Sequence, residues 1–392
     1  MTDRAFLVAA VVTAGAIGAT AWQGPFWLVA SVAAVPILAF AQPLRAACFA
    51  VMAAYYATAS YPMIPALQAA SWVVNSVVAI VGLFVAATLL LTAPWVLLWS
   101  PSRNARPWRL AAATLVSVVP PVGLIGWASP LLAAGALFPG TGWSGLVLTM
   151  MVPVAATSRS FPRRAVTALM VIALIANWVA VPAQAVPGWG ARDLSLARPM
   201  ERIGELEALA MHPKVQSLIE SSNADVLILP ESAIPRWNDA TALIWEPVAD
   251  GLAATNRLVL AGTTFPEPGS RKQRNGAVVL GLANSIPRIS QRLPVPIAMW
   301  NPFHDDGFVA CPSCPDTFEI AGQRVALSIC YEQLLVLPVL LSLAESPSVL
   351  VGISSTAWTQ QTSIPRSQEL CLWAWGRLFR LPVLNATLRL ER

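Results

Sequence analysis

The chain has 392 residues, of which 56% are hydrophobic and only 11% charged, with a formal net charge of +5. A soluble globular protein is about a quarter charged, so the composition excludes a wholly water-soluble chain. The deficit is uneven: between Arg4 and Arg192 there is no Asp, Glu or Lys, while from Glu201 onward acids and bases occur at ordinary density. The chain therefore divides into a membrane part, 1–186, and a soluble part, 187–392. The soluble part is long enough to bury its own core. The basic residues of the first half lie in short clusters between apolar runs, which is a topology signal rather than a nucleic-acid surface. No nucleic-acid partner is expected.

Apolar runs of roughly the 17–25 residues that span a bilayer occur at 5–22, 24–41, 46–62, 73–99, 108–128, 143–158 and 164–183. Residues 131–138 are too few to span and are expected to lie re-entrant or interfacial. Breaks fall at Gly24-Pro25, Gln42-Pro43, Tyr61-Pro62 and Pro101. The first run carries Ala19-Thr20-Ala21, which looks like a signal cleavage site, but six further runs favour an uncleaved helix. Arg4, Arg45, the cluster Arg103, Arg106 and Arg109, and the cluster Arg159, Arg163 and Arg164 occupy alternate connections. The connections near Gly24, at 62–72 and at 129–142 carry no charge. The positive-inside rule then places the amino terminus in the cytoplasm, and seven spans deliver the soluble part to the periplasm of an inner-membrane protein. Trp22, Trp27, Trp72, Trp95, Trp99, Trp108 and Trp189 gather at run ends, as an interfacial belt does. A transporter is disfavoured because the spans hold no ionisable pathway.

In the soluble half, Ile203, Leu206 and Leu209 fit an amphipathic helix within 190–222. Six Val/Ile/Leu-rich runs follow, at 225–230, 257–263, 276–282, 324–330, 348–354 and 381–387, without the alternation of half-exposed strands. Such runs suit strands covered on both faces. Helical stretches at 240–255, 332–345 and 365–380 separate some of them, which gives an α/β layered domain. Glu231 follows the first strand, and Cys330, Tyr331 and Glu332 follow the fourth. A cysteine that begins a helix gains thiolate character from the positive end of the helix.

Leu229-Pro230-Glu231-Ser232-Ala233, Ile329-Cys330-Tyr331-Glu332 and Ser354-Ser355-Thr356-Ala357-Trp358, in this order behind a multi-span bundle, resemble the carbon–nitrogen hydrolase (nitrilase) superfamily. The similarity is greater to its membrane branch, the apolipoprotein N-acyltransferases. Within that neighbourhood the chain looks most like the TraB conjugal transfer proteins, partly through Gln291-Arg292-Leu293-Pro294-Val295-Pro296 with Met299-Trp300. The resemblance implies an αββα sandwich, Glu231 as general base, Cys330 as a nucleophile forming an acyl thioester, and Glu332 as a further acid. A lipid or lipoprotein is the implied substrate, and proteins of the conjugation apparatus are the implied partners. The family's oxyanion-binding lysine falls on Gln291. The two lysines, Lys214 and Lys272, lie elsewhere, and Arg292 is the candidate substitute cation. The later strands and last transmembrane helix of the acyltransferases have no counterpart before residue 392. These departures leave a second expectation, a non-catalytic scaffold of the mating machinery. Trp300 and Trp358 are implied to line an acyl pocket. No cofactor is implied.

Cys311-Pro312-Ser313-Cys314 lacks the second pair that a four-ligand zinc site needs, and His212 and His304 are the only histidines. A structural disulfide in an oxidising compartment is expected there, with Cys48 and Cys371 as packing residues.

Overall fold

In the computed structural model, which describes residues 3–70, 76–158, 163–198, 204–282, 286–301, 303 and 305–391, the chain divides into two units. The first comprises Met1–Ala183, Leu334–Leu337 and Gln361–Leu381, and the second the remainder. Trp72, Arg159, Ile203 and His304, named above, lie outside the described residues.

The first unit is helical. Helices α1 (Asp3–Ala21), α3 (Arg45–Ser60) with α4 (Met63–Ala69), and α5 (Val77–Leu98) follow the expected runs. Among the described residues, three segments, Arg4–Ala21, Arg45–Ala69 and Val77–Leu98, are long and apolar enough to cross a membrane. The other expected spans are shorter. Residues 24–41 make a 3-10 helix, Phe26–Ala33, and then α2 (Ala34–Phe40). The run 108–128 breaks into α6 (Arg106–Val116) and a 3-10 turn, Val122–Ile125. Pro120 and Pro121 cause that break, because each lacks an N–H and restricts the residue before it. After α7 (Ala133–Leu137), α8 (Trp143–Thr157) and α9 (Arg163–Val179) complete the series. At 1.5 Å per residue, fifteen residues reach only about 22 Å.

Helices α1 and α3 approach closely because Gly15 and Gly18 present no side chain. A Cβ on Gly18 would lie 2.3 Å from the Tyr55 carbonyl, and Thr58 Oγ1 donates to Gly15 O at 2.9 Å. Small residues permit such contacts between apolar helices. The tryptophans divide by position. Trp27 and Trp108 are exposed, as a belt requires, but Trp22, Trp95 and Trp99 are buried. Trp22 and Trp95 donate to the hydroxyls of Tyr55 and Tyr56, each at 3.2 Å. Arg106 is also buried, giving hydrogen bonds to Ser100 O (2.7 Å) and Phe40 O (3.0 Å).

The second unit is α/β, as its unalternating strands predict. One sheet has the order β1 (Trp189–Ala191), β3 (Val226–Ile228), β4 (Leu258–Pro266), β5 (Gln273–Leu280), β6 (Arg288–Ser290). The other has β2 (Leu194–Leu196), β10 (Val383–Leu390), β9 (Val349–Ser355), β8 (Gln323–Ile329), β7 (Thr317–Ile320). Val226 and Ile228 of β3 join Val325, Leu327, Ile329, Val351 and Ile353 in one apolar cluster, so the sheets meet face to face. Leu227 and Leu229 point the other way, into a cluster with α10 (Glu205–Glu220) and α11 (Asp239–Ala254). Both faces of β3 are therefore apolar, the reason its sequence does not alternate. In α10 the buried face is Met211, Val215 and Ile219, whereas Leu206 and Leu209 are exposed. The helix buries a different stripe from the one expected. Helix α12 (Leu337–Ala344) follows the Cys330 turn.

Helix α13 (Ile364–Phe379), expected in the soluble domain, belongs to the first unit. Arg366 donates to Gly24 O (3.3 Å), Ser367 Oγ to Trp22 O (2.8 Å), and Arg377 to Gly135 O (3.3 Å) and Asn177 Oδ1 (3.1 Å). The chain thus returns to the first unit over Gln361–Leu381 before it ends in the second. A Cβ on Gly135 would sit 2.1 Å from the Ala374 carbonyl. Gly135→Ala therefore forces α7 from α13, and a loss of about 1–3 kcal/mol is expected from such overpacking, read as a lower thermal midpoint in detergent. An unchanged midpoint would contradict this packing.

Candidate active site

The expected reactive residues come together at the carboxyl ends of strands. Glu231 follows β3, Cys330 follows β8 and Ser355 ends β9. Ligand sites of open α/β sheets favour such ends. Glu231 can fold tightly beside β4 because position 262 is glycine: a Cβ there would lie 2.4 Å from the Glu231 Cα. Ser355 N–H donates to Glu231 Oε2 at 2.7 Å, and Asn275 Nδ2 donates to Oε1 at 2.6 Å. Glu231 is only 5% exposed.

The same Asn275 amide donates to Gln291 Oε1 at 2.8 Å, and Gln291 Nε2 donates to the carbonyl of Ile329 at 2.8 Å. Three hydrogen bonds thus run from the Glu231 carboxylate to the residue before Cys330. Cys330 is 8% exposed and has φ +51°, a conformation that L residues other than Asn and Asp seldom hold. It opens a five-residue 3-10 turn, Cys330–Leu334, rather than an α-helix. The helix-dipole contribution expected from the sequence is correspondingly slight, since it requires aligned peptide units.

Glu332 sits beneath this turn. Its Oε1 accepts the N–H groups of Arg292 (2.6 Å) and Leu293 (2.9 Å), and its Oε2 accepts that of Ile329 (3.0 Å). It is a positioning residue, tying the 291–293 segment to the end of β8. Burial pushes its carboxyl up to about 8, against the pull of those N–H donors.

The Arg292 cation is engaged by neighbours of its own. Its guanidinium pairs with Asp316 at 2.8 Å and donates to Cys314 O (2.8 Å), Pro338 O (3.0 Å) and Ser342 Oγ (3.2 Å). Burial raises the Asp316 carboxyl, and Arg292 and Ser342 oppose that rise. The two neighbours engage different groups: the Gln291 amide bonds Asn275 and the Ile329 carbonyl, while the Arg292 guanidinium bonds Asp316. Lys214 bonds Ser195 O and Glu391 away from the site. Trp300 and Trp358 are half-buried. Cys311 and Cys314 are disulfide-bonded as expected. His212 accepts a bond from Trp245 Nε1 at 2.9 Å inside the core, where burial lowers its basicity.

Asn275 was not foreseen. An isolated Asn within a buried run, Asn275-Gly276-Ala277-Val278, was the available signal, because a buried amide requires partners.

The raised pKa of Glu332 makes the protein less stable as the pH rises. An acid whose folded value lies above its ordinary 4.5 stabilises fully below the latter and loses that contribution as pH rises through about 8. Glu332→Gln is expected to remove this decline. It also costs about 1–3 kcal/mol, since an amide NH2 must face a backbone N–H. Melting curves at acid and alkaline pH check both. A variant that keeps the wild-type pH slope would refute the assignment.

No family model matches the chain. Conjugal transfer protein TraB of Agrobacterium fabrum is 32% identical over 405 residues, covering 98% of this chain and 93% of that protein. A probable conjugal transfer protein TraB of Sinorhizobium fredii is 28% identical over 393 residues, covering 98% and 97%. Among solved structures, an amidase from Nesterenkonia sp. aligns over 54% of this chain and 78% of its own, at 14% identity and TM-score 0.38. A cysteine mutant of the Nesterenkonia AN1 amidase from the nitrilase superfamily aligns over 51% and 75%, at 14% identity and TM-score 0.36. From the near-full-length relatives, the chain belongs to the conjugal transfer protein TraB family.

Proposed function

We propose that this chain is an inner-membrane protein of conjugal transfer whose second unit, a nitrilase-like domain in the periplasm, takes an acyl group onto Cys330 as a thioester. The observation that carries this reading is the buried Glu231–Asn275–Gln291–Ile329 chain, which ends beside a cysteine of unusual backbone conformation. Glu231 accepts the thiol proton, and Cys330 Sγ attacks the acyl carbonyl. The displaced alcohol or amine leaves with a proton, and a second nucleophile then takes the acyl group. Neutral amides stand where a cation would hold the oxyanion, so turnover is slow. The substrate class is the acyl chain of a membrane lipid or lipoprotein, which suits a domain joined to apolar helices.

The placement rests on the alternating arginine connections. It gains support within the first unit. The hydrogen-bond partners of α13 there (Trp22, Gly24, Gly135, Gly140, Gly142 and Asn177) belong to charge-free connections or to the end of the last apolar run. A fusion of alkaline phosphatase after residue 392 is expected to be active, and a β-galactosidase fusion inactive. The reverse pattern would put the second unit in the cytoplasm.

A second reading, a non-catalytic scaffold of the mating apparatus, is favoured by one observation. Gln291 is neutral with both ends of its amide engaged, and the Arg292 cation is bound to Asp316. Mass spectrometry of purified protein incubated with phospholipid separates the readings. An acyl adduct on Cys330, with mating lowered at least about tenfold in Cys330→Ala, is expected if the thioester chemistry is used. Wild-type mating in that variant, with no adduct, would leave the scaffold.

A further inference from the structure

The Cys311–Cys314 disulfide touches both residues that flank the amide bridge of the site. Cys311 N–H donates to the Arg292 carbonyl at 2.8 Å, Arg292 Nε donates to the Cys314 carbonyl at 2.8 Å, and Arg274 Nη1 lies 3.5 Å from Cys314 Sγ. Arg292 adjoins Gln291, and Arg274 adjoins Asn275. Both guanidiniums are charge-paired on their other sides, Arg292 with Asp316 and Arg274 with Glu267. Their place is therefore set by carboxylates together with the disulfide ring. Pro312 and Ser313 at the tip of the ring are exposed, and the two cysteines are half-buried, so a dithiol can reach the sulfurs.

We propose that Cys311–Cys314 is a thiol-exchange site whose co-reactant is a dithiol, and that its oxidation state sets how accessible Cys330 is. An incoming thiolate attacks one ring sulfur, and the S–S bond breaks as the other cysteine leaves as a thiolate and takes a proton. The second thiol of the co-reactant then displaces the mixed disulfide, so the ring is reduced to two thiols and the dithiol is oxidised to a disulfide. Once opened, the 311–314 segment regains backbone freedom. Its contacts with Arg292 and Arg274 then compete with that entropy. As they weaken, the Asn275–Gln291 bridge loosens and the buried Cys330 opens to reagents. The inference uses the geometry of the site and holds whether or not the site transfers acyl groups.

The test is peptide-resolved iodoacetamide labelling of the full-length protein in detergent, with Cys48 and Cys371 as internal references. After dithiothreitol, Cys330 is expected to label about fivefold faster, the factor equivalent to one released hydrogen bond. The double variant Cys311→Ser/Cys314→Ser is expected to label as fast without reductant, and oxidised glutathione to restore the slow rate in the wild type. Equal Cys330 rates in the oxidised, reduced and double-variant proteins would overturn the proposal. So would a parallel acceleration of Cys48 and Cys371, which reports general loosening, or a disulfide that dithiothreitol does not open in the folded protein.

Discussion

A carboxylate and a thiol placed in the apolar layer between two sheets need polar partners, because each unsatisfied group there costs several times what an ordinary hydrogen bond contributes. Here the answer is a bridge of two side-chain amides. Asn275 gives both of its N–H groups, one to Glu231 and one to Gln291, and Gln291 gives one of its own to the Ile329 carbonyl. Both amide nitrogens and the Gln291 oxygen in the bridge meet a group of opposite hydrogen-bonding sense. A lysine at 291 would neutralise Glu231 but would bring the desolvation cost of a buried ammonium. Glutamine avoids that cost and forgoes the positive field that a nascent thiolate or oxyanion would use.

The bridge holds its geometry because the layer behind it is ionic. Glu332 gathers three backbone N–H groups, and Arg292 with Asp316 and Ser342 fastens the following segment to α12. A buried ion pair adds little net stability over an apolar one, yet removing one partner costs about 3–5 kcal/mol. Its effect is therefore on specificity: with Arg292 fixed at Asp316, the segment 291–293 has one path, which brings the Gln291 amide to Asn275.

Much of this was legible in the residues. The six apolar runs predicted six strands, and Glu231 and Cys330 at run ends do follow β3 and β8. Strands β1, β2, β6 and β7 escaped notice because they are three or four residues long and lack a buried apolar run. For Arg292, the sequence shows that a cation adjoins the lysine position but not that Asp316 binds it. Asn275 was missed because it lies in a strand that reads as core. The helix expected at Cys330 is only a 3-10 turn, since Cys330 itself is in the left-handed region, and the true helix begins only at Leu337.

Helix α13 was the hardest element to place. Its sequence mixes Arg366, Glu369 and Arg377 with Leu370, Leu372 and Trp375, so it reads as a soluble amphipathic helix. Strands β9 and β10 pair in parallel, and parallel neighbours require a crossover rather than a hairpin. That crossover is α13, and its Ser367 hydroxyl and its arginines satisfy carbonyls of the helical unit at Trp22, Gly24 and Gly135. The central strand pair of one unit is thus joined through a helix that the other unit binds. Neither unit has all of its elements until the chain has passed between them, which explains why a domain boundary read from composition alone finds the first crossing and overlooks the rest.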